Sequence, residues 1–153
     1  MYSKEEVTQL RKAFWTTFGQ YLRPIPGSEG EKVNWINYRT GFKGMNFRMD
    51  ANKQEAYIGI VFSQPNPDLR ILFFEQLLEL RSVLHGELGE EWIWEQAARN
   101  DQGQPISQVY QILPAVSIFQ KADWPQLISF FKPRIIALDE FWSTAKYHFE
   151  PLG

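Results

Sequence analysis

The chain has 153 residues, of which 44% are hydrophobic and 22% are charged, and its formal net charge at pH 7 is −2. The small acidic excess argues against a generally basic nucleic-acid-binding protein, and the absence of cysteine excludes disulfides, thiolate nucleophiles and cysteine-bound zinc. The length and the 12 Phe, 6 Tyr and 6 Trp suffice for one large core, so we expect residues 1–153 to form a single domain.

The sequence contains no recognisable secretory signal or membrane-spanning segment. The N-terminal residues are charged and contain no apolar core, unlike a secretory signal. No apolar run approaches the roughly 20 residues that a membrane-spanning helix needs. The sequence therefore predicts a soluble, cytoplasmic protein that does not contact a membrane.

The first predicted element is a helix over Ser3–Leu22. Ser3 is a suitable N-cap, and Glu5 and Glu6 place negative charge in the first turn, where the helix dipole favours it. Apolar and aromatic residues then recur at steps of three and four, namely Val7, Leu10, Phe14, Phe18 and Tyr21. Two prolines and two glycines between residues 24 and 30 predict a loop after this helix.

Three strands are predicted next, joined by short turns into an antiparallel meander. Side chains alternate in character over residues 33–41, around Trp35, and again over residues 44–51, around Phe47. Residues 55–62 continue the alternation, with a polar turn before them. This period of two indicates strands with one buried face.

A long helix is predicted over Pro67–Leu88. Its apolar residues form a wide stripe, which indicates contact with a sheet and with another helix. Gly89 is a typical residue for the position after a helix.

A second hairpin is predicted after Gly89. Trp92 and Trp94 alternate with Glu91 and Glu95, so the tryptophans are expected to cover the core while the glutamates face water. Residues 107–119 supply the returning strand, in which a proline at position 114 is typical of an edge strand or a bulge.

The last predicted helix starts after the N-cap Asp123 and ends at Pro151. Its aromatic and apolar stripe continues past Pro133, so we expect one kinked helix and not two separate ones. The element order is then α-β-β-β-α-β-β-α. This order predicts an α+β fold, with an antiparallel sheet of about five strands and three helices.

The acidic residues are one candidate site. The Glu87–Glu95 segment contains four glutamates, and two more lie in the preceding helix. Such carboxylates can hold a divalent metal, so a metal-dependent nuclease or phosphodiesterase is an alternative function. No acid-x-lysine pattern accompanies them, and the two histidines form no metal-binding motif. We therefore favour a solvated acidic face and expect no metal and no cofactor.

A basic and aromatic stretch is the other candidate site. Four cations and one acid, Asp50, occur between residues 39 and 53. Cations interleaved with aromatic rings on a sheet can hold phosphates and stack bases; the simpler interpretation is a glycine hairpin with solvated flanks. The predicted contacts with a nucleic acid or an acidic protein partner are Arg39, Phe42, Lys43, Arg48 and Lys53.

Several segments resemble an uncharacterised bacterial domain family of unknown function. They are "RKAFWTTF", "TGFKGMNF", "AYIGI", "FFEQLLELRSVLHGELG" and "EWIW". Members of that family occur alone or as the C-terminal part of proteins whose N-terminal part resembles a restriction-type nuclease. The resemblance implies an accessory or recognition domain in bacterial defence or DNA metabolism, and it carries over no catalytic residue. The residues that match as scaffold are Phe14, Trp15, Gly41, Arg81 and Trp92.

These features favour a bacterial binding domain without catalysis of its own, associated with nucleic acid. A protein-interaction domain or a homodimer is a further alternative, because the wide aromatic stripe of the last helix could exceed what one domain buries.

Overall fold

The computed structural model describes residues 2–153 and contains one antiparallel sheet. Its strands are β1 (Met45–Ala51), β2 (Glu55–Phe62), β3 (Ile93–Arg99) and β4 (Pro105–Pro114). Their order across the sheet is β1-β2-β4-β3. The two edge strands are therefore β1 and β3, and the second hairpin inserts its returning strand next to β2.

Four α-helices pack against the sheet and against each other. They are α1 (Lys4–Leu22), α2 (Pro67–Glu79), α3 (Arg81–Leu88) and α4 (Trp124–Ala145). Both α4 and α2 contact the sheet, while α1 and α3 pack on α4. Short 3₁₀ turns precede and follow α4.

The core lies between the helices and one face of the sheet. On that face β2 contributes Ala56, Ile58, Ile60 and Phe62, each completely buried. Phe62 contacts two phenylalanines of α2, and Phe47 of β1 meets the ring of Trp142 in α4. The opposite face carries polar and tyrosine side chains, including Arg48, Tyr57, Gln108 and Tyr110.

Several predicted elements are confirmed. Helix α1 begins at Lys4 because Ser3 and Glu6 form a reciprocal capping box, and it ends at Leu22 as expected. The α+β class and both hairpins are also confirmed. Helix α4 runs through Pro133 as one helix, but it ends at Ala145, and 3₁₀ turns replace its predicted continuation to Pro151.

The predicted strand at residues 33–41 is wrong, because this segment is a loop. Its side chains anchor the loop to the segment after α1, to α4 and to the next strand instead of to a sheet. The indole of Trp35 donates to the carbonyl of Ile25 at 3.0 Å, and the hydroxyl of Thr40 donates to the carbonyl of Met45 at 2.7 Å. The sheet consequently has four strands and not five.

The predicted helix over Pro67–Leu88 is also wrong, because it is two helices separated at Leu80. The backbone of Leu80 leaves the helical region, at φ −97° and ψ 13°, and its N–H bonds back to Leu77. The break redirects α3 onto α4. The structure therefore has four helices and not three.

Pro114 lies on a central strand, contrary to the expectation of an edge strand. It is the last residue of β4, opposite Glu55, the first residue of β2. On its other side β3 extends only to Ile93, which pairs with Tyr110. The missing N–H of Pro114 therefore interrupts no hydrogen bond with β3.

Candidate functional site

A polar groove lies on the face of the sheet opposite the core, next to β1. Its volume is about 580 Å³, and it is bounded by the loop at residues 36–39, by strand β1 and by the tip of the β3–β4 hairpin. Among the described residues that line it, none is acidic. Its polar lining consists of Asn37, Tyr38, Arg39, Asn46, Arg48, Ser63, Asn100 and Gln104.

The alternation of β1 directs Asn46 and Arg48 into this groove. Between them, Phe47 turns to the core, where its ring stacks on Tyr38 at a centroid distance of 4.9 Å. Both Asn46 and Arg48 are exposed, whereas Phe47 is only 5% exposed. The buried aromatic neighbour thus holds the two polar side chains at the surface.

The hairpin tip forms the opposite wall and is held by its own hydrogen bonds. The side-chain oxygen of Asn100 accepts from the backbone N–H groups of Gln102, at 3.0 Å, and Gln104, at 2.9 Å. Gly103 adopts φ 78°, a conformation that side chains disfavour. The guanidinium of Arg99 donates to the carbonyl of Gly103 at 2.7 Å. The amides at the wall are therefore preorganised.

The loop wall is fixed by a buried carboxylate. Asp139 of α4 is 4% exposed and accepts hydrogen bonds from the hydroxyl of Tyr38 and from the backbone N–H of Ser28, the latter at 2.8 Å. Burial, together with the hydrogen bond to Asp139, raises the pKa of Tyr38 well above its usual value. Tyr38 therefore remains protonated, and the adjacent Arg39 is held at the rim.

The two arginines give the groove its charge. Arg48 pairs with Asp50 at 3.4 Å, and Asp50 also pairs with Arg11 at 3.6 Å. These pairs are exposed and weak. Arg39 has no ion-pair partner within residues 2–153. The groove is therefore positive although the whole chain is slightly acidic.

The sheet face continues from the groove into a second, smaller pocket of about 240 Å³ that is more acidic. Its floor includes Tyr57, whose hydroxyl donates to Gln108 at 2.7 Å, while the Gln108 amide donates to Glu95 at 2.7 Å. Tyr57 lies against Gly59, where any side chain would collide with its ring. Burial raises the pKa of Tyr57, so it stays neutral and acts as part of the packed surface.

The structure brings together only some of the residues predicted as contacts. Arg39 and Arg48 share the groove, but Lys43 and Lys53 lie beyond the two ends of β1, a strand roughly 20 Å long. The ring of Phe42 is partly buried and packs on Phe73 and Trp142.

The groove also contains amide side chains that sequence reasoning missed. Asn46 was within the basic stretch, but Asn100 and Gln104 belong to a segment whose only local signal is a turn. They reach the groove because β4 pairs with β2, with Ser107 opposite Phe62. That pairing joins strands far apart in the sequence, so no local pattern predicts it.

The glutamates near Trp92 do not gather into a metal-binding group within the described residues. Glu90 accepts two hydrogen bonds from the Arg134 guanidinium, at 2.8 and 2.9 Å, and one from the indole of Trp92 at 2.7 Å. Burial alone would raise the pKa of Glu90, but the bonds from Arg134 and Trp92 outweigh it and lower that pKa. Within residues 2–153, no group of three or more histidines and acids is placed to hold a metal ion.

The tryptophans of the same segment lie on the core side, as predicted. Trp92 is 4% exposed, and Trp94 packs edge-on against Phe74 of α2. Glu91 is exposed, whereas Glu95 is half-buried on the opposite face of the sheet. The acids in this segment therefore flank a packed aromatic surface.

Residues 10–146 match the family model described as "Domain of unknown function (DUF4268)". The chain belongs to the DUF4268 family. The match extends from α1 to the end of α4, so every wall of the groove lies within the DUF4268 domain. The expected membership of a domain family of unknown function is confirmed. Comparison with curated proteins and with solved structures found no match.

No helix in the part of the chain from residue 2 onward combines the length and the apolar character needed to cross a bilayer.

Proposed function

We propose that this DUF4268 domain is a recognition module that binds nucleic acid in the groove beside β1. The observation that carries the proposal is the lining of the groove, which combines two arginines with four amide side chains and includes no acid among the described residues. In this proposal Arg39 and Arg48 contact phosphates, while Lys43 and Lys53 extend the positive surface at the ends of the strand.

The chemistry of the lining suits a polyanion that also presents hydrogen-bonding edges. A guanidinium group binds a phosphate through two parallel hydrogen bonds. Asparagine and glutamine can form paired hydrogen bonds with a base edge, and they carry no charge that would repel phosphate. Asn100 and Gln104 already bond to each other and to the hairpin backbone, so they form a fixed, uncharged wall, and in this proposal Asn37 and Asn46 meet the base edges.

The packing of the aromatic rings determines what kind of binding is expected. Phe42 and Tyr38 are partly buried and pack on other rings of the protein, so we expect base stacking to contribute little. Affinity then depends on ionic contacts and hydrogen bonds, and ionic contacts weaken in salt because the release of counterions from the nucleic acid becomes less favourable. We therefore expect a strong dependence on salt concentration.

A fluorescence-polarisation titration tests this proposal. The probes are labelled single-stranded and duplex oligonucleotides of mixed sequence, titrated at several salt concentrations. The variant Arg39→Gln/Arg48→Gln should bind more weakly, and the slope of log affinity against log salt should fall by roughly 1 for each phosphate that an arginine no longer neutralises.

A charge-matched control separates the groove from net charge. Lys4→Gln/Arg23→Gln removes two exposed cations at the ends of α1, outside the groove. This variant should bind as the wild type does. An equal weakening of binding in the two double variants, or no binding of the wild type at low salt, would rule out the proposed groove.

A further inference from the structure

The segments around the two edge strands carry opposite net charge, although each strand by itself carries one cation and one acid. Beside β1 lie four cations, which are Arg39, Lys43, Arg48 and Lys53, together with the single acid Asp50. At the other edge, β3 carries Glu95 and Arg99 and is preceded by the exposed Glu91, while the exposed acids Glu75, Glu79 and Glu87 precede it in the chain, in α2 and α3. The order β1-β2-β4-β3 places these edges at opposite ends of the sheet.

Strand β1 has backbone groups on its outer edge that are free to pair. Ser63 donates to the carbonyl of Gly44, and Asn52 donates to the carbonyl of Glu55. In an antiparallel ladder this pattern alternates, so the N–H and C=O groups of Phe47 and Met49 face away from β2. Within residues 2–153 these groups have no hydrogen-bond partner, and both residues line the groove.

The ends of the same edge are occupied. The carbonyl of Met45 accepts from the Thr40 hydroxyl at 2.7 Å, and that of Ala51 accepts from Arg11 at 3.0 Å. The free segment is therefore limited to the middle of β1, which is where Arg48 projects from the strand.

Strand β3 is also paired along one edge only. Its ladder joins β4, and the sheet ends at its other side. Ile93 is 47% exposed, and Gln96 and Ala97 are exposed as well. An edge strand of this kind is a template for a strand from another chain.

Strand directions make the two edges compatible. Three successive antiparallel pairings leave β1 and β3 running in opposite directions within one sheet. A second copy placed beside the first, without turning its sheet over, therefore brings its β3 antiparallel to β1. Arg48 and Glu95 project from the same face of the sheet, so they would be neighbours across the junction.

We propose that this protein associates head to tail, with β3 of one copy extending the sheet of the next copy at β1. Like charges oppose pairing of β1 with β1 or of β3 with β3, whereas opposite charges favour β1 with β3. The contact is heterologous, so each copy keeps one free edge and further copies can add. This inference goes beyond nucleic-acid binding: it uses the β3 edge, which lies outside the groove, and the β1 edge, whose middle residues line the groove, so a second copy and a nucleic acid would compete for Arg48.

Sedimentation velocity at increasing protein concentration tests the association. At low salt the average mass of the wild type should rise above the 18.0 kDa of one chain, and added salt should reverse the rise. A wild type that stays at 18.0 kDa at high concentration and low salt would overturn the proposal.

Two charge-reversal variants identify the edges. Glu91→Lys/Glu95→Lys and Arg48→Glu/Lys53→Glu should each remain monomeric alone, because each variant places like charges at positions 48 and 95, which would face each other across the junction. An equimolar mixture of the two should associate again. Failure of the mixture to associate, or association of either variant alone at wild-type levels, would contradict the edge-to-edge contact.

A backbone substitution tests strand pairing separately from charge. Met49→Pro removes an outward N–H without removing a hydrogen bond to β2, and proline is tolerated on an edge strand. This variant should fail to associate while circular dichroism and thermal unfolding show a folded domain. Association that survives Met49→Pro would show that the copies do not meet through the free groups of β1.

Discussion

Replacing Arg134 by methionine should destabilise the domain by about 2–3 kcal/mol, an estimate that follows from the partial burial of its ion pair with Glu90. The two side chains are 24% and 27% exposed, and the guanidinium contacts both carboxylate oxygens. Breaking a fully buried pair costs about 3–5 kcal/mol, whereas an exposed pair contributes about 0–1 kcal/mol. A pair that is one-quarter exposed lies between these limits.

Other contacts of Arg134 favour a destabilisation near the upper end of this range. Its Nη1 donates to the carbonyl of Phe130 at 2.9 Å, and its guanidinium lies 4.5 Å from the centre of the Phe130 ring. Methionine keeps much of the apolar side chain but leaves the Glu90 carboxylate without its cation. For a domain of this size the midpoint of thermal unfolding should fall by roughly 4–12 °C.

Urea unfolding of a double-mutant cycle measures the interaction directly. The cycle combines Arg134→Met with Glu90→Gln, and the coupling free energy isolates the pair from the other contacts of each residue. Lys146→Met is the control, because Lys146 pairs with Glu29 at 3.4 Å in an exposed position and should cost less than about 1 kcal/mol. A destabilisation in Arg134→Met no larger than in the control, or a coupling energy near zero, would refute the reasoning.

Two further predictions concern acid stability and the loop that forms the groove wall. Arg134 and Trp92 lower the pKa of Glu90 in the folded state despite its burial. The ionised carboxylate therefore stabilises the fold at any pH above the pKa of glutamate in the unfolded chain, about 4.3. This stabilisation is lost as the pH falls through the folded pKa. Urea unfolding at neutral and acidic pH should therefore show a smaller acid-induced destabilisation in Glu90→Gln than in the wild type; an equal effect would assign the acid sensitivity to other groups. Tyr38→Phe keeps the ring but removes the hydroxyl that donates to the buried Asp139, so it should lower the free energy of unfolding by about 1–2 kcal/mol. An unchanged free energy of unfolding would show that this hydrogen bond contributes nothing net.

The sequence determines those elements whose signals are local. Ser3 and Glu6 lie three residues apart and cap the same helix, so α1 is readable from adjacent residues. The alternation in β1 and β2, with a short turn between them, likewise predicts a hairpin. In α4 the aromatic spacing continues through Pro133, and the packing that this spacing permits outweighs the cost of one proline.

The same local rules cannot distinguish some alternatives. A period of two describes a strand, but the residues around Trp35 show it in a loop, whose side chains reach Ile25, α4 and β1. No proline or glycine marks the break at Leu80 in the sequence. The break arises because α3 turns there to pack on α4. In both cases distant contacts supply more free energy than local preference does.

The residues of the candidate site also fall into two groups, those that the sequence predicts and those that only tertiary contacts place. The basic stretch was visible in the sequence, and Arg39 and Arg48 could be named from it. The pairing of β4 with β2, which brings Asn100 and Gln104 to the same groove, depends on contacts between residues far apart in the chain, as does the Glu90–Arg134 pair. Only the tertiary structure decides such contacts, because their free energy comes from burial and strand pairing that no single segment contains.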